Sequence, residues 1–502
     1  MKLSIPAMSS ELQSVTIEQA LKMAVQHHEA GRLAEAESII RRVLDANPDN
    51  AEVIHLLGVI AHQRGNYNVA AGLIERAIAL NPDNPRFLNN LGEALRELDR
   101  PGEAEKLHLR ALALKPDYVK AHNNLGNALR ALRRYGEAEQ SYRDAIRLDP
   151  TFAVPRLNYA LLHLLRGDYG SGFALYEQRF DGADPRQVRF AQHLLAGLKD
   201  TPRWQGEPLA GKHLLVWTEQ GLGDCVMMMR YLPLLTSRGV ERVTVYCAAP
   251  LVRLMRTLSG VEDVVSQEDA LPEVRFDRHC PLMSLPLLFG TRLETVPREV
   301  PYVRVAEDLQ RKWATRLGAV ARPRVGLVWA GAKRTLTEAR RSMRLQAFAP
   351  LLDAGGANFV SLQKSEDARE LEAVKWRIFD GMDECGDLLD TAALIEQLDL
   401  VVSVDTSVAH LAGALGRPVW LLTRGNTAWQ WMLERDDSPW YPTMRIFRQP
   451  HGGNWHDVMA HVAASYRATF GAAAAGEPAE RRHARATGTK SVWAQLFSKP
   501  GK

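Results

Sequence analysis

The chain has 502 residues, of which 46% are hydrophobic and 24% are charged. This composition is typical of globular proteins and excludes a mostly disordered chain, a collagen and a disulfide-rich scaffold. The formal net charge is +4, and residues 471–502 carry six basic and two acidic side chains, which account for all of that excess. The rest of the chain is therefore balanced in charge, which argues against a nucleic-acid-binding surface.

Four cysteines lie far apart in the sequence, at Cys225, Cys247, Cys280 and Cys385. Their spacing fits neither a metal knuckle nor a disulfide framework. The first residues contain no apolar segment of signal-peptide type, and no segment approaches the ~20 apolar residues of a membrane span. We therefore expect a cytoplasmic protein without a transmembrane segment.

A 34-residue repeat fills the first third of the chain. Three sets of residues keep this spacing: Pro48, Pro82, Pro116 and Pro150; Gly58, Gly92 and Gly126; Ala36, Ala70, Ala104 and Ala138. Small residues suit the crossing of two helices, and proline ends a helix because its ring clashes with the preceding turn. A 34-residue period is that of tetratricopeptide helix pairs, which segments such as NNLGNALRALRRYGEAEQSYRDAIRLDPT closely resemble. We predict an all-α solenoid of about 4.5 units over residues 17–180.

Asparagines recur at one position of the first helix of each repeat, at Asn90, Asn124 and Asn158. That helix lines the concave surface of such an array, and an amide can both donate to and accept from a peptide backbone. The array of O-GlcNAc transferase, which this region resembles, has a similar ladder. The asparagines could bind an acceptor peptide, or they could cap or pack locally. Leu56 occupies the position in the first unit, so any ladder is short.

A different pattern begins after a polar connector at residues 181–210. Strand-like runs at 212–218 and 242–248 flank a helical stretch, and the pattern restarts with runs at 325–330, 357–363, 398–405 and 418–423. Alternating strands and helices favour parallel doubly wound sheets. The pattern therefore predicts two Rossmann-like lobes facing a cleft, at 211–305 and 323–470. The last helical stretch, 455–470, could cross back to the first lobe, and we expect the tail at 471–502 to be disordered.

The segment VDTSVAHLAG places Asp405, Thr406 and Ser407 between a buried strand and a helix that carries His410. Ligands of open α/β sheets bind at the carboxyl ends of strands, and a helix N-terminus attracts phosphate. Alternatively, Asp405 and Thr406 only cap the helix. The segment resembles the Asp-Thr-x-x-x-His motif of the bacterial heptosyltransferases, glycosyltransferase family nine. Their fold is of the GT-B type, and there the motif contacts the diphosphate of a nucleotide sugar.

A second motif, EQGLGDCVMM, contains Gly221, Gly223 and Asp224 after the first strand of the first lobe. By itself it indicates a tight turn with Asp224 capping the next helix. It resembles the Gly-Asp of the same family, where the aspartate is the proposed general base. The resemblance therefore implies that Asp224 accepts the proton of the acceptor hydroxyl, with Gly223 beside the donor.

Basic residues follow the first strand of the second lobe, among them Lys333, Arg334, Arg340 and Arg341. They form either a solvated loop or fixed cations that stabilise a leaving diphosphate. Arg341 resembles the phosphate-contacting basic residue of the family. Residues 332–338 depart from the Asn-Pro-x-His-x-Asn-Asp of tetratricopeptide glycosyltransferases, which puts the donor's identity and activity in doubt.

Gln363 and Lys364 end another strand of the second lobe. They resemble a Gln and a Lys of O-GlcNAc transferases that contact the nucleotide. Trp440 and Tyr441 lie in a segment that resembles the end region of the same family. We interpret these two aromatic residues as lobe packing rather than as a platform for a sugar.

The resemblances to these families together imply a glycosyltransferase of the hexosyl or heptosyl type. The resemblance implies transfer from a nucleotide sugar to a protein or glycan acceptor presented by the repeats, with inversion and with no metal or other cofactor. An interaction scaffold with a degenerate nucleotide-binding GT-B domain is the alternative, which the altered loop favours. A sugar epimerase is disfavoured because no suitable acid/base pair is evident.

Overall fold

The computed structural model describes residues 2–6, 12–181, 185–198, 200–271, 274–332, 339–374, 377–450 and 454–474. The chain divides into two compact units, with the boundary between Leu162 and His163. Each unit has its own architecture. Residues 471–474 of the predicted disordered tail are helical, and the rest of the tail, from 475 onward, lies outside the described residues.

The first unit is a stack of antiparallel helix pairs. An antiparallel strand pair, β1 (Lys2–Pro6) and β2 (Leu12–Thr16), precedes it. The helices are α1 (Ile17–Glu29), α2 (Leu33–Ala46), α3 (Ala51–Gln63), α4 (Tyr67–Leu80), α5 (Pro85–Glu97), α6 (Pro101–Leu114), α7 (Val119–Ala131), α8 (Tyr135–Leu148) and α9 (Ala153–Leu165). The second helix of each of the first four pairs ends two residues before its repeat proline, as the sequence predicts.

The repeat glycines lie where the two helices of a pair cross. A Cβ added at Gly58 would lie 2.6 Å from Ile74, and one added at Gly92 would lie 2.5 Å from His108. Gly126 meets Tyr142 in the same way. Because each glycine exposes bare backbone, a side chain 16 residues later can pack directly on it.

The last helix pair is shared between the two units. Helix α9 crosses the boundary at Leu162, and α10 (Tyr169–Tyr176) lies entirely in the second unit. The predicted connector contains a further helix, α11 (Pro185–Gly197). Its residues Ala191 and Leu194 are buried in one apolar cluster with Leu215 and Trp217 of the first lobe. The connector is therefore part of the core of the second unit.

The first lobe is built on a four-stranded parallel sheet. Its strands are β3 (His213–Trp217), β4 (Arg242–Cys247), β5 (Asp263–Ser266) and β6 (Arg278–Pro281), in the order β5-β4-β3-β6. Its helices are α12 (Leu222–Met228), α13 (Val252–Met255) and α14 (Leu285–Leu288), and α15 (Glu307–Arg316) follows before the second lobe. The strands β3 and β4 match the sequence prediction, whereas β5 and β6 were not predicted, because the sequence RHCP of β6 and the short DVVS of β5 offer few apolar residues.

The second lobe is built on a six-stranded parallel sheet. Its strands are β7 (Arg324–Val328), β8 (Asn358–Ser361), β9 (Ile378–Asp380), β10 (Leu400–Val404), β11 (Val419–Thr423) and β12 (Met444–Arg448), in the order β12-β11-β10-β7-β8-β9. Its helices are α16 (Ala349–Leu352), α17 (Leu388–Ile395), α18 (Ser407–Ala414) and α19 (Trp455–Ala474). Four of these strands coincide with the predicted runs.

The prediction that the last helix crosses back to the first lobe is wrong. Val458, Met459 and Val462 of α19 are buried in one cluster with Trp420 and Phe447 of the second lobe. The apolar face of α19 therefore covers its own sheet.

Helix α10 contacts two aromatic residues of the second lobe. The Tyr169 ring lies 5.6 Å from Trp440, whose indole N–H donates to the Tyr169 hydroxyl at 3.1 Å. The Phe173 ring lies 5.7 Å from Trp429. Trp440 is fully buried, so the predicted packing role of this residue is confirmed.

Just after α10, the buried Arg179 joins the end of the repeats to the first lobe. It donates to Glu219, which follows β3, at 2.9 Å and to Ser284, which follows β6, at 2.7 Å. Arg179 and Glu219 are both almost inaccessible to solvent. This ion pair therefore anchors the loop that begins the cleft-facing edge of the sheet.

The predicted fold class is confirmed: a helical repeat solenoid is followed by two α/β lobes with parallel sheets. No helix among the described residues is both long enough and apolar enough to span a bilayer.

Candidate active site

A cleft of about 800 Å³ lies between the two lobes of the second unit. The first lobe contributes the loop after β3 and the start of α12, and the second contributes the carboxyl ends of β7, β8 and β10. Every predicted donor or catalytic residue that the structure describes lines this cleft: Gly223, Asp224, Arg341, Gln363, Lys364, Asp405, Thr406, Ser407 and His410. Lys333, with residues 334–338, lies outside the described residues.

Asp224 lies in the first turn of α12, directly behind the Gly221–Gly223 turn. Its Oδ2 accepts from the Gly221 N–H at 3.2 Å. This bond occupies one oxygen of the carboxylate. Asp224 is therefore not the N-cap that the capping interpretation predicts: Gly221 is the N-cap, and Asp224, three residues later, orders the turn and borders the cleft with the same side chain.

Thr406 does not cap its helix through its side chain. It precedes α18, but its hydroxyl lies 3.0 Å from the Ser403 hydroxyl and makes no bond to the helix N–H groups. The first N–H groups of a helix have no partner within the helix. Thr406, Ser407 and Val408 line the cleft, so this helix start faces the space where an anion would be stabilised.

His410 lies one turn into α18 and is almost fully buried. A Cβ added at Gly223 would lie 2.7 Å from its Cδ2 and 3.3 Å from its Nε2. On the other side of the ring, Nδ1 lies 3.0 Å from the Tyr441 hydroxyl. Gly223 is therefore required for the starts of α12 and α18 to meet across the cleft.

Arg341 approaches the cleft from the segment after β7. A Cβ added at Gly331 would lie 3.3 Å from both Arg341 Nε and Thr406 Cγ2. Arg341 Nε is buried and has no hydrogen-bond partner among the described residues. The neighbouring Ser342 hydroxyl accepts from the Gly331 N–H at 3.0 Å. The Arg341 side chain is thus held beside the start of α18.

Gln363 uses its amide to hold the end of β7. Its Oε1 accepts from the N–H groups of Trp329 and Ala330 at 3.1 and 2.9 Å, and its Nε2 donates to Ala330 O at 2.8 Å. Lys364 Nζ donates to the carbonyl oxygens of Cys385 and Gly386. Both residues shape the cleft wall, and the nucleotide contact remains a prediction for each.

Two carboxyl groups share this cleft with Arg341. Burial, and then the charge of Asp405, raise the pKa of Asp224 to about 6, with Arg341 acting in the opposite direction. Burial also raises the pKa of Asp405, again against Arg341. Burial, followed by the charges of Arg230 and Arg341, lowers the pKa of His410 to about 3. At neutral pH the histidine is therefore neutral.

Sequence reasoning missed two residues of this site. Gln430 lines the cleft and is 6% exposed. Arg230 is buried behind His410 and Tyr441. Neither residue belongs to a recognisable motif, although a glutamine between two tryptophans in the sequence WQW was a usable signal for Gln430.

In the first unit, the asparagine ladder forms a continuous chain of hydrogen bonds. It runs from Asn158 to Asn123 (2.9 Å), Asn123 to Asn124 (3.0 Å), Asn124 to Asn89 (3.2 Å) and Asn89 to Asn90 (3.3 Å), and Asn90 Nδ2 ends 2.9 Å from His55 Nε2. These bonds support the local-packing interpretation. A primary amide has two N–H groups and two lone pairs, so Asn90 and Asn124 keep capacity for a peptide.

The comparisons with known families agree with both halves of the chain. Models described as "Tetratricopeptide repeat" match residues 84–151, and residues 21–85 and 124–186. Residues 362–424 match the model described as "Glycosyltransferase family 9 (heptosyltransferase)". The chain carries tetratricopeptide repeats and a family 9 glycosyltransferase segment. That segment includes Gln363, Lys364 and the stretch from Asp405 to His410, whereas Asp224 and Arg341 lie outside it.

Protein FlbA of Caulobacter vibrioides is 32% identical over 339 residues, which is 61% of this chain and 54% of that protein. The chain thus spans about half the length of this relative. Among solved structures, TTC0263 of Thermus thermophilus is 24% identical, with a TM-score of 0.32, over 36% of this chain and 100% of that one. PilF of Pseudomonas aeruginosa is 22% identical, with a TM-score of 0.31, over 37% and 84%. These two similarities fall on part of the chain only, and we base no functional argument on them.

Proposed function

We propose that this protein transfers a sugar from a nucleotide-sugar donor to a hydroxyl of a protein or glycan acceptor. The observation that carries the proposal is the single cleft that unites Asp224 with Arg341 and the start of α18. The family 9 match supports glycosyltransferase chemistry in general. The donor, acceptor and residue roles are our inference.

In this mechanism the donor diphosphate lies at the start of α18. The helix N–H groups, the hydroxyls of Thr406 and Ser407, and the Arg341 guanidinium surround it. The acceptor oxygen attacks C1 of the sugar from the opposite side, so the configuration inverts. The C1–oxygen bond to the diphosphate breaks, and its electron pair leaves with the nucleoside diphosphate, where Arg341 and the helix start offset the growing charge.

Asp224 is the proposed base. It takes the proton of the acceptor hydroxyl as the new glycosidic bond forms, and a carboxylate with a pKa of about 6 is ionised at neutral pH yet basic enough to accept that proton. Closure of the two lobes over the donor would exclude water and limit hydrolysis. A cytoplasmic location belongs to the proposal, supported by four buried free cysteines.

The test is release of nucleotide from a panel of UDP-, GDP-, ADP- and CMP-sugars, with cell extract as the source of acceptor. We expect turnover of one donor class, a loss of about 100-fold or more in Asp224→Asn, and retained affinity of that variant for the nucleoside diphosphate. Arg341→Gln should lose that affinity. Asp269→Asn, at an exposed position of the first lobe, is the matched control and should behave as wild type.

The competing function is an interaction scaffold with a nucleotide-binding domain that no longer catalyses. Wild-type protein that binds a nucleoside diphosphate but turns over no donor would favour it. Nucleotide binding alone does not separate the two, because a degenerate enzyme can retain its pocket.

We further propose that the repeats present the acceptor through Asn90, Asn124 and Asn158. Each has an amide that is only partly buried, with hydrogen-bonding capacity left over from the ladder. Asn124→Ala should raise the KM for a protein acceptor without changing hydrolysis of the donor. An unchanged KM would assign these residues to packing alone.

A further inference from the structure

His410 contacts a different partner with each of its ring nitrogens. Nδ1 lies 3.0 Å from the Tyr441 hydroxyl. The Nε2 edge faces Gly223, and the residue lines the cleft. The ring is packed against Trp431 at a centroid distance of 4.8 Å. Its orientation is therefore fixed, and the open question is which nitrogen carries the proton.

Tyr441 is held as firmly as the histidine. It is fully buried, and a Cβ added at Gly413 of α18 would lie 2.5 Å from its ring. The Arg230 guanidinium lies 4.8 Å from the ring centroid, and its charge acts on the Tyr441 hydroxyl. The hydroxyl therefore contacts an imidazole and lies in the field of a guanidinium.

Arg230 is a buried cation with no ion pair among the described residues. Its guanidinium donates to the carbonyl oxygens of Met227, Pro297 and Trp440 at 2.8, 2.8 and 2.6 Å, and to the Tyr302 hydroxyl at 3.1 Å. The Tyr302 hydroxyl in turn donates to Val226 O at 2.9 Å. The positive charge therefore remains largely uncompensated, and in a buried setting its field on neighbouring dipoles is strong.

That field orients the Tyr441 hydroxyl. Its oxygen lone pairs are attracted to Arg230, and its proton is directed away from the guanidinium toward Nδ1 of His410. A neutral imidazole that accepts at Nδ1 carries its single proton on Nε2.

Building on the proposed function, we infer that Tyr441, held by Arg230, is a positioning residue that fixes His410 as a neutral Nε2–H donor to the donor diphosphate. The histidine then offers a hydrogen bond to a phosphate oxygen without having to take up a proton. Its low pKa, caused first by burial and then by Arg230 and Arg341, is consistent with a neutral ring.

The protonated nitrogen of His410 can be observed in the whole protein without any substrate. Protein labelled with 15N-histidine gives long-range proton–nitrogen spectra, in which the His410 signals are those that vanish in His410→Gln. We expect the Nε2–H tautomer in wild type, and its loss or mixing with the Nδ1–H form in Tyr441→Phe. An Nδ1–H tautomer in wild type, or an unchanged His410 spectrum in Tyr441→Phe, would overturn the inference.

The second measurement is affinity for the nucleoside diphosphate that the donor panel identifies. Tyr441→Phe keeps the ring packed on Gly413, so we expect a folded protein that binds about tenfold more weakly. Tyr466→Phe is the matched control, because the hydroxyl of Tyr466, a residue of α19, is buried and has no hydrogen-bond partner among the described residues. It should bind as wild type does. Equal affinity of Tyr441→Phe and wild type would also overturn the inference.

The proposed function and the positioning role of Tyr441 would be contradicted by different results. If wild type binds no nucleoside diphosphate, the proposed function falls, and the positioning role in diphosphate binding falls with it even if the tautomer is as expected. If wild type binds and turns over a donor while the spectrum shows the Nδ1–H form, the function stands and the inference is overturned.

Discussion

At the residue scale, the base that we propose, Asp224, would combine two demands that usually conflict. It must stay near the backbone of its own turn, which its bond to the Gly221 N–H ensures, and it must remain basic enough to accept a proton. Burial and the neighbouring Asp405 provide the basicity by disfavouring its charged form. Arg341 opposes this effect, because its charge lowers the pKa of both carboxyl groups.

The pH dependence of catalysis should report the ionisation of Asp224. As a base it works only when ionised, so kcat/KM for the donor should rise with pH through a midpoint near the Asp224 pKa of about 6. Asp405→Asn removes a charge that raises this pKa and should move the midpoint to lower pH. The measurement is kcat/KM from pH 4.5 to 8, and a midpoint that Asp405→Asn leaves in place would contradict the assignment.

Gly223 allows a second test at this scale. An alanine Cβ there would lie 2.7 Å from His410, whose ring is confined by Trp431 and Tyr441 and cannot move aside. We expect Gly223→Ala to lose at least about tenfold in nucleoside-diphosphate affinity by calorimetry. Gly102→Ala is the control, because a Cβ there would meet nothing within 4 Å, and its affinity should equal that of wild type.

At the scale of elements, three helix pairs of the first unit make the same contact with a repeat glycine, and each uses a different side chain for it. Ile74, His108 and Tyr142 occupy equivalent positions against their glycines. Tyr142 satisfies its hydroxyl with Asn127 at 2.8 Å, whereas both ring nitrogens of His108 are buried without a hydrogen-bond partner among the described residues. Of these three side chains, His108 is therefore expected to contribute least to the stability of its helix pair.

Replacing His108 by the isoleucine of the preceding repeat should stabilise the protein. The change removes two unsatisfied buried nitrogens, for an expected gain of about 1 kcal/mol in the free energy of unfolding at pH 7. Burial lowers the His108 pKa from 6.5 to about 4, so in wild type the unfolded chain binds the extra proton between these values and stability falls as the pH drops. Urea denaturation at pH 7 and pH 5 should show a larger gain at pH 5. An equal or smaller gain at pH 5 would contradict the argument.

The sequence was sufficient to predict elements whose residues repeat with a regular period. It was insufficient to predict contacts between segments that lie far apart in the chain. The repeat prolines and glycines located the helix pairs, and buried apolar runs located strands such as β10 and β11. The Asp405–His410 motif located one wall of the cleft. The contact of Arg230 with Tyr441 could not be predicted, because two residues so far apart in the chain meet only after both lobes have folded.

At the scale of the whole molecule, the last helix of the array belongs to the second unit. Tyr169 and Phe173 of α10 cover Trp440 and Trp429, and Arg179 neutralises the buried Glu219. Removing this segment would expose two tryptophans and leave a carboxylate without its partner, a change that costs about 3–5 kcal/mol for a broken buried pair.

A fragment of residues 151–474, which keeps α10, should therefore melt cooperatively, and a fragment of residues 185–474 should not. Near-UV circular dichroism during heating reports on the packing of the tryptophans. Equal melting temperatures and equally sharp transitions for the two fragments would show that α10 is dispensable.

The attachment of α10 also constrains how such a protein can evolve. Helix pairs of a solenoid contact mainly their neighbours, so duplication or deletion of 34-residue units near the start of the array would leave the packing of the second unit unchanged. The final helix has no such freedom, because its aromatic residues pack on Trp440 and on Trp429, which is next in sequence to the cleft residue Gln430. Insertion of a whole repeat near the start of the array should therefore be tolerated by the second unit, whereas a change of length at the junction should not be.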